Sequence, residues 1–369
     1  MVEWKKLGEI ATVSNGERPV SDILKTGMFP YINAGRTNSG YLNECNSIRG
    51  AVTTPSHGEG GIGSVMFHDY DFWCGALCYK MYTKDGVINR YLYHYLCNNT
   101  EKILNCKNVG GQPYINRKQL ENIKIEVPSL SEQERIVGIL DTFTSSIENL
   151  KSQISLRRKQ YEHYRDKLLD LEGKTGVEMK TLGEIVSSDC SLSYGIVQPG
   201  DDVIEGIPVV RPVDLIGQYV IKDGLKKTTK DISDSYKRTI LKGNEVLFCV
   251  RGTTGVMSLA SQELEGCNVT RGIVPISFDD ELTKMFVYYQ LKSYRLQKTI
   301  ADKTNGTALK QINIKDLRLL SISLPSLEEQ SRIVSILDEF EASIKNLEAQ
   351  LEAREKQYEY YRNKLLTFE

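Results

Sequence analysis

Two stretches of this 369-residue chain carry seam side chains at steps that alternate between four and three. In the first they are Ile136, Leu140, Phe143, Ile147, Leu150 and Ile154, continued by Arg157, Tyr161, Tyr164 and Leu168. In the second they are Ile333, Leu337, Phe340, Ile344, Leu347 and Leu351, continued by Arg354, Tyr358, Tyr361 and Leu365. Identical steps make a 3.5-residue repeat, the seam of a left-handed coiled coil. No proline interrupts either run, and no glycine follows Gly138. Each run starts after a proline with S-x-x-E, Ser129 with Glu132 and Ser326 with Glu329, which predicts a capping box. About 40 residues at ~1.5 Å each predict two helices roughly 60 Å long.

Other stretches follow other periods. IKIEV (123–127) and LSISL (320–324) alternate apolar and polar positions, as half-buried strands do. Residues 87–106 and 281–300 read as amphipathic helices whose tyrosines bury a stripe against a sheet. Gly-rich turns separate the short strands, so the predicted fold class is α+β.

The helical stretches are part of a duplication. PSLSEQERIVGILDTF (128–143) returns as PSLEEQSRIVSILDEF (325–340), displaced by 197 positions. The match extends upstream, INRKQLENIKIEVPSL (115–130) against INIKDLRLLSISLPSL (312–327). WKKLGEI (4–10) returns as MKTLGEI (179–185), displaced by only 175. The second unit is thus 22 residues longer, and its extra length lies in a middle that barely resembles the first. This predicts a globular domain over 1–128, a helix over 129–172, a second globular domain over 177–325 and a second helix over 326–369. A repeated frame around unlike interiors suggests one scaffold reading two different things.

If the helices pair along their length, connectivity makes them antiparallel, with the globular domains at opposite ends. The alternative is that each seam packs on its own domain. Arg157 and Arg354 share one seam slot. Two readings fit them: polar residues that set register at some cost in stability, or side chains that snorkel to water.

Composition narrows the function classes. Hydrophobic residues make up 40% and charged residues 26%, the balance of an ordinary globular chain. No run approaches the ~20 apolar residues of a membrane helix, and MVEWKKLGEI lacks a signal-peptide core, so a cytoplasmic protein is expected. The eight cysteines show no C-x-x-C pair, which points to reduced thiols. Net charge is -1; residues 1–128 hold 14 basic and 12 acidic side chains, 177–325 hold 19 and 18, and 326–369 hold 6 and 10. Any nucleic-acid affinity would come from local clusters or a partner.

Catalytic motifs are missing. GEGGIG (58–63) fits G-x-G-x-x-G, but SVMFHDYDFWC follows it and shows no helix pattern, so a strand-to-strand turn is the better reading. FCVRGTTGVMS (248–258) takes the comparable place in the second unit. There is no Walker loop, no [DN]-P-P-[YF] tetrapeptide and no nuclease carboxylate cluster, and the four histidines fall in unrelated contexts.

The L-G-E-I opening, the INxKxL…PSLxEQxRIVxILD passage, the long helix behind it and the duplication together resemble a type I restriction–modification specificity subunit over nearly the whole chain. The resemblance implies an α+β protein with two target recognition domains separated by a long antiparallel coiled coil. Each domain would read one half of a split sequence in double-stranded DNA. The helices would set the spacer and dock two methyltransferase subunits; two endonuclease–translocase subunits complete the complex. The chain itself would be non-catalytic and hold no cofactor. S-adenosylmethionine would belong to the adenine-methylating partner, and ATP with Mg to the endonuclease partner. The rival reading is a coiled-coil scaffold or adaptor whose domains bind proteins.

Base edges are read by Arg, Lys, Asn, Gln, Ser and Thr. The loops favoured in the first domain nominate Asn33, Arg36, Thr37, Asn38, Ser56, His57, Gln112 and Tyr114. The second nominates Arg211, Arg251, Thr253, Thr254, Arg271, Asn305, Thr307 and Lys310. At the helix starts, Glu132, Arg135, Glu329 and Arg332 are the candidates for partner docking.

Overall fold

The structure is a computed structural model that describes residues 2–58, 60–108, 111–304 and 310–368. The chain divides into two compact units, Met1–Ser152 with Glu348–Glu369, and Gln153–Leu347. The first runs β1 (Glu3–Lys6), α1 (Leu7–Ile10), β2 (Ala11–Asn15), β3 (Phe29–Ile32), β4 (Tyr41–Leu42), β5 (Ala51–Pro55), β6 (Met66–His68), β7 (Trp73–Cys74), β8 (Cys78–Thr83), α2 (Asn89–Asn98), α3 (Thr100–Leu104), β9 (Lys107–Asn108), β10 (Tyr114–Ile115), α4 (Arg117–Glu121), β11 (Lys124–Val127) and the start of α5 (Leu130–Leu168). The second takes the end of α5, then β12 (Glu178–Thr181), α6 (Leu182–Ile185), β13 (Ile207–Val210), β14 (Lys227–Thr228), α7 (Lys230–Asp234), β15 (Val246–Cys249), β16 (Met257–Leu259), β17 (Asn268–Val269), β18 (Ile273–Ile276), α8 (Glu281–Lys292), α9 (Tyr294–Asp302), α10 (Ile314–Arg318), β19 (Ser321–Leu324) and the start of α11 (Leu327–Leu365). The last turns of α11 belong to the first unit. The fold class is therefore α+β, with both long helices present.

The repeated motifs close each unit on itself. β1 pairs antiparallel with β11, Glu3 opposite Val127 and Lys6 opposite Lys124. β12 pairs the same way with β19, Glu178 opposite Leu324 and Thr181 opposite Ser321. The L-G-E-I turns are capped by their own glutamates: Lys6 N donates to Glu9 at 2.8 Å and Thr181 N to Glu184 at 2.7 Å. A Cβ on Gly8 would lie 3.2 Å from the Cβ of Glu121, and one on Gly183 3.4 Å from that of Arg318. Small residues thus let α1 lie on α4, and α6 on α10. The opening and closing motifs of each unit are one joint, which is why they recur together.

Between them the unlike interiors share most of their strand pairings, with β2 adding a fourth strand beside β8 in the first unit. β5 lies between β8 and β6, both antiparallel, with Val52 opposite Met81 and Phe67. β15 lies between β18 and β16, with Val246 opposite Ile276 and Leu259. β3 runs parallel to β7 and antiparallel to β4; β13 stands likewise to β17 and β14. Even Pro30 and Pro208 take matching positions. The register locates most of the 22 extra residues. Pro30 and Tyr41 are eleven positions apart and Pro208 and Lys227 nineteen; Leu42 and Ala51 are nine apart and Thr228 and Glu245 seventeen. These longer connections hold α7 and help build an apolar cluster around Val210, Leu215, Val220, Leu225, Leu241 and Leu264.

The tyrosine-rich stretches are helices, each broken once, and Tyr91, Tyr95, Tyr288 and Tyr289 are fully buried. Each buried large side chain contributes about 1.5–3 kcal/mol. Tyr91 and Tyr95 donate to Glu126 of β11, while other polar groups of the tyrosine helices reach the long helices. Asp141 accepts from Arg90 Nε at 2.8 Å and His94 Nε2 at 2.7 Å. Its repeat, Asp338, accepts from the Tyr289 hydroxyl. Gln133 donates to Pro128 O and Gln330 to Pro325 O, both at 2.9 Å, tying each helix start to the strand before it.

Both long helices contain 39 residues. In the first unit Phe143 stacks on Tyr361 at 5.4 Å and Lys151 pairs with Glu355 at 2.8 Å, so the two helix segments run antiparallel there. In the second unit Phe340 stacks on Tyr164 at 5.6 Å. The seam arginines are half-buried against rings, Arg354 lying 5.6 Å over Phe143 and Arg157 5.9 Å over Phe340. Each is therefore held by a cation–π contact within its own unit. The serine half of each predicted capping box forms, with Glu132 N and Glu329 N donating to Ser129 Oγ and Ser326 Oγ at 3.4 and 3.3 Å. The glutamates instead turn their carboxylates forward to arginine.

Asp141→Ala leaves the buried His94 Nε2 without its acceptor and should destabilise the first unit by about 1–3 kcal/mol in urea unfolding, more than Asp141→Asn. A second expectation concerns pH. His68 bonds Thr53 Oγ1 at 2.8 Å and is 2% exposed; burial holds its pKa down at about 4. Its ring is neutral in the fold, so its stabilising contribution is complete above the unfolded value of ~6.5 and is lost as pH falls towards 4. Between pH 6.5 and 5 the loss should reach about 1.5 kcal/mol, and His68→Gln should flatten that part of the stability profile. An unchanged slope would show that the ring charges freely.

Candidate nucleic-acid interface

In the first unit the three nominated loops meet at one place. Arg36 Nε donates to Gly60 O at 3.0 Å, joining the loop after β3 to the loop after β5. A Cβ on Gly61 would lie 1.9 Å from Ala34 O, so only glycine permits that approach. The loop before α4 joins through a backbone clasp: Ile115 N donates to Ser56 O at 2.8 Å and Gly58 N to Pro113 O at 3.2 Å. Above it the rings of His57 and Tyr114 stack at 5.9 Å, with 22° between planes. G-E-G-G-I-G is thus part of the connection between β5 and β6, with Gly58 and Gly63 at φ of 93° and 88°. The helix that a dinucleotide fingerprint needs does not follow it.

The second unit builds the same clasp. Ile312 N donates to Val250 O at 3.0 Å and Gly252 N to Lys310 O at 2.9 Å, with Arg251 opposite Gln311. Gly252, at φ 91°, takes the place of Gly58. Gly272 sits between loops, where a Cβ would meet Pro212 Cγ at 2.6 Å. That brings the Arg211, Arg251 and Arg271 loops to one end of the sheet, since Val250 N also donates to Gly272 O.

Individual side chains are spent very differently. Asn33 Oδ1 accepts from Leu77 N at 3.0 Å, which holds a loop. Ser56 is fully buried and bonds His57 Nδ1 at 2.9 Å, so it shapes the loop from beneath rather than facing solvent. The Tyr114 hydroxyl accepts from Asn108 at 2.7 Å. Arg211 is locked to Asp214 by bonds of 2.8 and 3.0 Å, and that carboxylate raises the arginine's pKa further. Thr253 Oγ1 lies 3.4 Å from Cys249 Sγ, and Thr254 Oγ1 donates to Lys310 O at 3.0 Å. Thr37, Asn38, Gln112, Arg271 and Lys310 are exposed, and Arg251 is half-buried. Asn305 and Thr307 lie outside the described residues.

The candidates at the helix starts are internally paired. Arg135 grips Glu132 at 2.8 and 2.6 Å, and Arg332 grips Glu329 at 2.7 Å through both nitrogens. Each arginine lowers its glutamate's pKa. These pairs offer compact, near-neutral dipoles rather than free acidic charge. Among the described residues no His, Cys, Asp and Glu cluster could hold a metal ion, and no helix is long and apolar enough to cross a membrane.

Sequence reasoning passed over Gln311. It precedes INIKDL as Tyr114 precedes INRKQL, so the 197-residue displacement was the signal that could have found it.

Comparison with known proteins gives one family. The type I restriction–modification DNA specificity domain matches twice, over residues 1–157 and 175–354. The chain is 29% identical to the EcoR124I/EcoR124II specificity subunit of Escherichia coli, over 100% of this chain and 94% of that one. It is 30% identical to a putative type I restriction enzyme specificity subunit of Haemophilus influenzae, over 100% and 96%. The crystal structure of a type I restriction–modification S subunit from M. genitalium superposes with a TM-score of 0.70 at 18% identity, covering 100% of this chain and 97% of that one. A frame built twice, unlike loops on one scaffold and two matches to the same domain lead to one conclusion: the chain belongs to the type I restriction–modification DNA specificity family.

Proposed function

We propose that each unit is a target recognition domain that reads one half of an asymmetric, split DNA site. One observation carries this reading: two interiors with matching strand registers present unlike side chains at matching loops. A shared scaffold with unlike loops suits two unlike half-sites. In this proposal the long helices pair as an antiparallel coiled coil that sets the unread spacer. They dock two adenine methyltransferase subunits that bring S-adenosylmethionine, and two endonuclease–translocase subunits that use ATP and Mg complete the assembly. The net charge of -1 fits a chain whose partners supply much of the phosphate contact.

Removing one heptad from both helices should shorten the spacer by roughly 10 Å, or about three base pairs. Sequencing the methylated sites reads this directly, and an unchanged spacer would sink the ruler. Reversal of Glu132 and Glu329 to lysine should weaken methyltransferase binding. The lost pairs within each helix alter stability by less than about 1 kcal/mol, so a pull-down separates docking from folding. Full binding by the double variant would retire these residues as a docking site.

A further inference from the structure

The backbone clasp is the same in both units, and the side chains it presents are not. His57 and Tyr114 stand opposite each other in the first unit, and Arg251 and Gln311 in the second. Directly opposed residues of an antiparallel pair project to the same face with Cβ atoms about 4.5–5.5 Å apart. On one side the clasp is followed by INRKQL or INIKDL, and on the other by Gly58 or Gly252 at nearly equal φ. What surrounds the pair is held alike, and the pair itself differs.

Resting on the reading of split DNA above, we propose that these two pairs are the base-reading pairs of the two half-sites, and that Gln311 determines specificity. Hydrogen bonding within the protein separates Arg251 and Gln311 from three other nominees, and standing opposite each other at the clasp separates them from the exposed ones. Asn33, Arg36 and Arg211 are occupied in holding loops. Neither the Arg251 guanidinium nor the Gln311 amide has a hydrogen-bond or ion-pair partner among the described residues, and both are half-buried at the clasp. Two adjacent side chains with free donors and a free acceptor suit two base edges. Arginine bonds guanine O6 and N7 in a two-pronged contact, and glutamine bonds adenine N6 and N7. The second half-site therefore contains a G·C pair read by Arg251 beside an A·T pair read by Gln311. In the first unit His57 Nδ1 and the Tyr114 hydroxyl are engaged by Ser56 and Asn108, which leaves His57 Nε2 and the stacked ring faces. That pair reads a different sequence.

The test uses the full-length chain with its methyltransferase partner and a duplex library randomised in both half-sites. Gln311→Ala should cut discrimination at one A·T position of one half-site by about 5- to 150-fold and leave the other half unchanged. Arg251→Ala should do the same at the neighbouring G·C position. His57→Ala should change only the other half-site. Gln311→Glu keeps the side-chain volume, so it decides the matter if the alanine variant fails to fold. It should move preference at that position towards cytosine, whose amino group a carboxylate accepts. Unchanged preferences at every position, or equal weakening across both halves, would overturn the inference alone. A wild-type complex that selects no split site would overturn the reading beneath it as well.

Discussion

Everything in each unit depends on a short antiparallel pairing between its first strand and its last. β1 on β11, and β12 on β19, bring the chain's way in and its way out side by side. The capped L-G-E-I turn then lies against the short helix before the closing strand, across a glycine with no room for much more. With the ends joined, whatever lies between them is a closed excursion whose length and composition are free to differ. The second interior carries 22 more residues than the first without disturbing the joint, because most of them fall in connections and not in paired strands. Long connections are tolerated because closure entropy rises only slowly with length.

A second constraint couples the joint to the long helices. Gln133 and Gln330, next to the capping serines, reach back to the preceding proline carbonyl. Two turns on, Asp141 and Asp338 receive polar groups from the tyrosine helix beneath. The anchoring carboxylate is the same in both units, while its donors changed from arginine and histidine to tyrosine. A carboxylate accepts equally from a guanidinium, an imidazole or a hydroxyl, so its donor is free to vary. This is the same economy as at the clasp, where backbone bonds are kept and side chains replaced.

The capping serines, the half-buried strands and the tyrosine helices were all legible from period and spacing. The Gly-rich stretches at comparable places in the two units were legible too, but that the nominated loops meet was not. What could not be read was which nominees are free. Arg211 and Arg251 look alike as letters in a loop. Asp214 lies three residues from the first, and nothing comparable lies near the second, yet only the folded loop shows the guanidinium closing on that carboxylate. Ser56 looked like a hydrogen-bonding loop residue until the fold buried it. Gln311 went unnoticed because nothing in its own neighbourhood marks it; its meaning lies in standing where Tyr114 stands.

By itself the sequence determined the duplication, the capped long helices with their 3.5-residue seam, the α+β class and the family resemblance. These rest on local periodicity and on self-similarity, which a linear text carries in full. Only the tertiary structure decided that the unlike interiors share one strand register, that the seam arginines lie over phenylalanine rings, and that four loop residues form two matching pairs. The physical reason is that strand pairing and hydrogen-bond satisfaction join residues dozens of positions apart. Such partners are chosen by geometry after the chain has closed on itself, and neighbours in sequence say little about them.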